Sequence, residues 1–189
     1  MIFNIMEFRL RNRSEAQAKA KAYYEQKNNK IYRLKRGLYT DDPHENPILI
    51  ANCLLTPSYV SFEYALSFYD LIPEGVYEYT SASVYSRGET RYSNHFGRFS
   101  YRNVPKKCFA YGLISSNGTL FATKEKALCD LLHVKPSVRS KADLSDLLFE
   151  DLRIEPEDFA GLNHEDLLTL CDLYPGDTFR VMKSFLKKR

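Results

Sequence analysis

The chain has 189 residues, enough for one domain or for a small module joined to a larger one. With 44% apolar and 27% charged residues it has the composition of a folded globular protein, which excludes a disordered or low-complexity chain. The net charge is only +3, but residues 1–37 carry ten Lys or Arg against three Asp or Glu, and the remainder is net acidic. That asymmetry predicts a basic module that approaches an anion, followed by a roughly neutral body.

Cys53, Cys108, Cys129 and Cys171 are widely spaced with no C-x-x-C pair, which points to reduced buried thiols and away from a zinc ribbon or disulfide framework. No apolar run approaches the roughly 18 residues of a membrane-spanning helix. The start, MIFNIMEFRLRNR, puts its charges after its apolar residues and does not read as a secretory signal. A cytoplasmic protein is expected.

In chain order, Ser14 opens the helix SEAQAKAKAYYEQ, with Gln17 placed for a capping box. Ala16, Ala20, Tyr23 and Tyr24 fall on one face, and Lys19, Lys21 and Lys27 populate the remainder. After the turn KNNK, the strand IYRLKR sets Arg33 and Lys35 on one face and Tyr32 and Leu34 on the other, ending at Gly37. Helix, turn, basic strand and glycine read as the second half of a winged helix-turn-helix. The polar, proline-bearing segment DDPHENP, residues 41–47, marks a domain boundary: a partial winged helix-turn-helix over 1–40, then a body over 41–189.

Within the body, helices are predicted for PILIANCLL from Pro47 and for Ser61 to Ile72 with Ser61 as cap. From Val76 to Thr123 the pattern is β, with strands in VYEYTSASV, GRFSYRNV, CFAYGLIS and TLFAT and a turn at Ser116-Asn117-Gly118. Thr123 caps the helix KEKALCDLLHV. A helical tail follows from about residue 141: DLSDLLFEDL, NHEDLLTLCDLY capped by Asn163, and DTFRVMKSFLKK. The expected fold class is α+β: a small winged helix-turn-helix shortened at its start, then an α+β domain with a central, mainly antiparallel sheet and a helical C-terminal tail.

Three segments in order carry a resemblance: R-G-L-Y at Arg36 to Tyr39, P-S-Y-V-S-x-x-x-A-L at Pro57 to Leu66, and A-T-K-E-K-A-L-C-D-L-L at Ala122 to Leu132. Over roughly residues 14–135 the chain resembles the AbiEi-like antitoxins of type IV toxin–antitoxin systems, in which a short winged helix-turn-helix precedes an antitoxin domain. Only 13 residues precede the helix at Ser14, so the winged unit departs from the family by a missing or shortened start. The resemblance implies a cytoplasmic bacterial repressor of its own operon. It implies, too, that this protein neutralises a cognate nucleotidyltransferase-like toxin without forming a stable complex. Operator DNA and that toxin are the expected partners, with no membrane, cofactor, metal or catalytic residue. The positions that match the antitoxin-domain motifs are Ser58, Ser61, Lys124, Glu125, Lys126 and Asp130.

The expected DNA contacts are Lys19, Lys21, Lys27, Lys30, Arg33, Lys35 and Arg36, which would hold phosphates in a salt-dependent way. The plain alternative is a solvated helix and a charged edge strand. Lys126 and Asp130 form an i, i+4 pair, and Glu125 suits a first helical turn, so capping and solvation account for both without catalysis. The segment SRGETRYSNHFGR, residues 86–98, reads as a loop whose Arg87, Arg91, Arg98, Tyr92 and Phe96 either bind single-stranded nucleic acid or belong to a long hairpin.

An enzyme is the competing class. T-K-E-K places Glu125 and Lys126 adjacent at a helix start, which is wrong for a nuclease metal site built on a strand. His44, His95, His133 and His164 are scattered, and neither a G-x-x-x-x-G-K loop nor the G-S and D-x-D signature of nucleotidyltransferases occurs. A transcriptional regulator without a toxin and a degenerate nuclease remain as alternatives.

Overall fold

The computed structural model describes residues 1–10, 14–86 and 88–187. The N-terminal unit runs strand β1 (Ile2–Asn4), helix α1 (Ile5–Leu10), helix α2 (Glu15–Lys27), and the hairpin of β2 (Tyr32–Lys35) and β3 (Leu38–Thr40). Its three strands pair antiparallel in the order β1-β3-β2, with α1 and α2 between β1 and the hairpin. Ser14 caps α2 as predicted, its Oγ accepting from the Gln17 amide at 3.2 Å. Gly37 takes φ +81° in the hairpin turn, a conformation open to glycine at no steric cost.

The predicted buried face of α2 is corrected. Ala18 and Ala22 are buried with Phe8 and Ile31 in a small core, whereas Ala16 and Ala20 face solvent and Tyr23 and Tyr24 are 72% and 67% exposed. Alanine lets α2 approach its neighbours closely, so this helix buries its smallest residues and presents its largest.

The body contains α3 (Pro47–Leu54), β4 (Ser58–Val60), α4 (Phe62–Phe68), β5 (Glu78–Ser83), β6 (Thr90–Asn94), β7 (Gly97–Asn103), β8 (Leu113–Ser116), β9 (Thr119–Ala122) and α5 (Lys124–Val134). The helical tail holds α6 (Lys141–Ser145), which runs into a π-helical turn at Asp146–Asp151, then α7 (Pro156–Ala160), α8 (His164–Leu173) and α9 (Asp177–Leu186). The body's strands form one sheet in the order β6-β7-β5-β4-β9-β8. This sheet is mixed: β5 pairs with β7, and β4 with β9, in parallel, while the other three pairings are antiparallel. Parallel neighbours are not consecutive in the chain, so turn signals do not reveal them.

Four local expectations are also revised. Helix α4 ends at Phe68, not at Ile72, and Asp70 follows in a left-handed conformation at φ +56°. Ser61 stands at its N-cap position, but its hydroxyl makes no capping bond. In CFAYGLIS, Cys108 closes a 3-10 turn at Lys106–Cys108 and the strand begins only at Leu113. The segment read as a loop over 86–98 contains β6, an edge strand polar enough on both faces to lack an alternation signal. By contrast, α3 starts at Pro47, and Thr123 and Asn163 cap α5 and α8 as expected.

The N-terminal unit is seated on the body. Leu34 is buried in the main core and not in the small one. Lys35 Nζ donates to the Leu54 carbonyl at 2.7 Å, and Asn94 Nδ2 of β6 donates to the Leu34 carbonyl at 3.1 Å. The Tyr32 ring stacks on His95 with centroids 5.0 Å apart. Between the units, DDPHENP is held by its own bonds: Thr40 Oγ1 donates to Glu45 at 2.9 Å, and the His44 amide to Asp42 at 2.8 Å. Among the described residues no helix is long and apolar enough to cross a membrane.

Candidate functional site

On the N-terminal unit, Lys19, Lys21, Lys27, Lys30, Arg33 and Arg36 are all exposed. Three of them come together: Lys19 of α2, Arg33 of β2 and Arg36 of the hairpin turn line a groove of about 510 Å³, with Tyr23, Gln26 and Tyr39 beside them. Lys21 is engaged locally, over the Phe8 ring at 5.7 Å and 3.9 Å from Glu25. Lys27 lies in the last turn of α2, and Lys30 follows it. Lys35 departs from the set. A register shift between Arg33 and Lys35 turns it toward the body, where it bonds to Leu54 and lies 5.9 Å from the centre of the Tyr92 ring.

The motif positions in the body sort differently. Ser61, Lys126 and Asp130 converge from the end of β4 and from α5. Lys126 and Asp130 are both fully buried, which corrects the expectation of a solvated helical pair. Lys126 Nζ donates to Asp130 Oδ1 at 2.9 Å, and Ser61 Oγ donates to Oδ2 at 2.6 Å. Two tyrosines complete the cluster, one within the P-S-Y-V-S segment and one outside every motif. Tyr59 of β4 donates to Oδ1 at 3.2 Å, and Tyr174, just after α8, donates to the same oxygen while accepting from Lys126. The ammonium lies 4.8 Å from the centre of the Tyr174 ring and 5.2 Å from that of Tyr59.

Burial pushes both phenols far above their ordinary pKa, reinforced by the Asp130 charge, so both remain protonated donors. Beside them, burial lowers the pKa of His133 from 6.5; Asp130 opposes the shift and Lys126 adds to it. The pKa of the Cys129 thiol, hydrogen-bonded to the free Cys171 thiol and buried, is raised well above its usual value. The loop before β8 closes over this cluster so tightly that a Cβ on Gly112 would stand 2.9 Å from Lys126 Cβ. A satisfied and sealed ion pair of this kind ties β4, α5 and the end of α8 together; its groups have no solvent access with which to act on a ligand.

The other motif residues have separate roles. Glu125 reaches across to the start of α8, accepting from the Asn163 amide at 2.9 Å. Ser58 is buried and donates to the Ala51 carbonyl at 3.5 Å. Lys124 is exposed, 5.8 Å from the centre of the Tyr69 ring. Of the aromatic and basic residues in 86–98, Arg91 and Arg98 are exposed, Tyr92 and Phe96 pack against the core, and Arg87 lies outside the described residues. Among the described residues no three His, Cys, Asp or Glu cluster in a way that could hold a metal ion. Compared with known proteins, the chain matches no family model and no curated relative.

Proposed function

We propose that this chain is a cytoplasmic antitoxin of a type IV toxin–antitoxin system. It counteracts a nucleotidyltransferase-like toxin without a stable complex and represses its own operon through the N-terminal unit. The observation that carries the reading is the meeting of two of the resembling segments, P-S-Y-V-S and K-E-K-A-L-C-D, in one buried cluster. Ser61 and Asp130 are 69 positions apart and joined by a 2.6 Å bond. Motifs that share one structural purpose support descent from a common fold more strongly than separate short matches do. The DNA-binding half is supported by the groove between α2 and the hairpin, where Lys19, Arg33 and Arg36 flank Tyr23. Such a surface suits phosphates approached by a helix and a wing.

The test is growth rescue with the full chain, because starting the protein at residue 41 would take Leu34 out of the main core. The candidate toxin, the product of the neighbouring gene, is expressed in a naive host with the wild type or with Arg33→Ala/Arg36→Ala. Rescue by both separates antitoxin action from DNA binding and supports the proposal. Failure of both, at normal folded levels, removes the antitoxin reading and leaves a DNA-binding regulator, which the groove favours independently.

A further inference from the structure

The far end of the large sheet carries a second cleft, of about 590 Å³, within the range of roughly 300–1,000 Å³ usual for small-ligand sites. Its floor comes from alternate positions of three strands: Glu78 and Thr80 of β5, Arg91 of β6, and Arg98, Ser100 and Arg102 of β7. Ile72, Val76 and Leu152 give it an apolar wall, with Tyr77 at the rim.

Most of its charges are already engaged. Arg102 meets Glu63 through both guanidinium nitrogens, one at 3.0 Å, and lies 4.0 Å over the Phe62 ring. Arg91 bridges Glu89 at 2.9 Å, and Glu74 bridges Arg153. Lys135 and Asp151 also line the cleft outside these pairs, and so do Arg98 and Glu78. The latter two are direct register partners on β7 and β5, yet among the described residues no ion pair joins them and no side-chain hydrogen bond holds either. Glu78 does lie within electrostatic reach of Arg91.

A guanidinium and a carboxylate on adjacent strands, about 4.8 Å apart in backbone spacing, suit a ligand whose own opposite charges are carried on one carbon. The planar guanidinium takes a carboxylate with two parallel bonds, and the glutamate takes an ammonium. A polyanion is disfavoured, because five carboxylates, Glu63, Glu74, Glu78, Glu89 and Asp151, line the same space as four cations. We propose that this cleft binds a free α-amino acid with an apolar side chain: carboxylate on Arg98, ammonium on Glu78, side chain against Ile72, Val76 and Leu152. The proposal uses no residue of the N-terminal groove and does not depend on the antitoxin reading.

The experiment is isothermal titration of the full chain with L-leucine, L-isoleucine and L-phenylalanine at millimolar concentration. L-phenylalaninamide and 3-phenylpropionate serve as analogues that each lack one charge, and inorganic phosphate as a plain anion. The expected result is saturable binding of at least one amino acid, weakened about tenfold or more by loss of either charge on the ligand, and likewise by Arg98→Ala or Glu78→Gln. Unchanged thermal unfolding of the two variants would show that the loss is local. The proposal is overturned if none of the three amino acids binds saturably, or if Arg98→Ala leaves binding intact. It is equally overturned if 3-phenylpropionate or phosphate binds as well as the amino acid, which would make the cleft a simple anion site.

Discussion

Asp130 accepts from Lys126, Tyr174 and Tyr59 on one oxygen and from Ser61 on the other, with no exposure to water. Two charges taken out of water repay their desolvation only while every partner is present. Lys126→Met is therefore expected to destabilise the protein by about 3–5 kcal/mol in urea unfolding, because it strands the carboxylate. The double change Lys126→Met/Asp130→Leu should recover much of that loss, since an apolar pair removes both charges together. His133 gives the cluster a pH signature. Its folded pKa lies below 6.5, so on acidification the unfolded chain takes up the proton first. Its contribution to stability is complete above the unfolded value and declines as pH falls through the window between the unfolded and folded values. Thermal unfolding of His133→Gln should lack that part of the wild type's decline. In the sequence, Lys126 and Asp130 were legible as an i, i+4 pair. Their burial was not, because it depends on Tyr59 and Tyr174, 71 and 44 positions from Asp130.

At the scale of elements, β2 divides its side chains between two tasks. Arg33 points to solvent, Leu34 enters the main core, and the register shift delivers Lys35 to the body. Fluorescence anisotropy on the protein's own upstream DNA should separate these tasks. Arg33→Ala and Arg36→Ala should each reduce the salt slope of binding by about one unit. Lys35→Ala should leave that slope unchanged and instead lower the urea midpoint, since the bond to Leu54 is lost. The elements best legible in the sequence were those with local signals, such as the caps Ser14, Thr123 and Asn163 and the hairpin turn at Asn117-Gly118. Those missed were short pieces defined by distant partners. Strands β1 and β4 are three residues each, and their pairing is set by β3, β5 and β9. The face of α2 was misjudged because the rule that large apolar residues lie inside runs in one direction only: exposed tyrosines break no law of packing.

At the scale of the whole molecule, the basic and neutral halves seen in the composition correspond to the N-terminal unit and the body, but the two share a core through Leu34. Leu34→Ala should cost about 2–5 kcal/mol. It should move one cooperative transition, followed by circular dichroism, and not split off a separate early one. Two transitions in the wild type would show that the N-terminal unit unfolds alone. The seat of Leu34 and Tyr32 on the β6–β7 hairpin also means that the N-terminal unit is no interchangeable cassette. A gene crossover within DDPHENP would part Tyr32 from His95 and the Leu34 carbonyl from Asn94. Viable chimeras must then exchange residues 1–40 and the β6–β7 hairpin together, so the exchangeable unit is split in the chain, with α3 through β5 lying between its two parts.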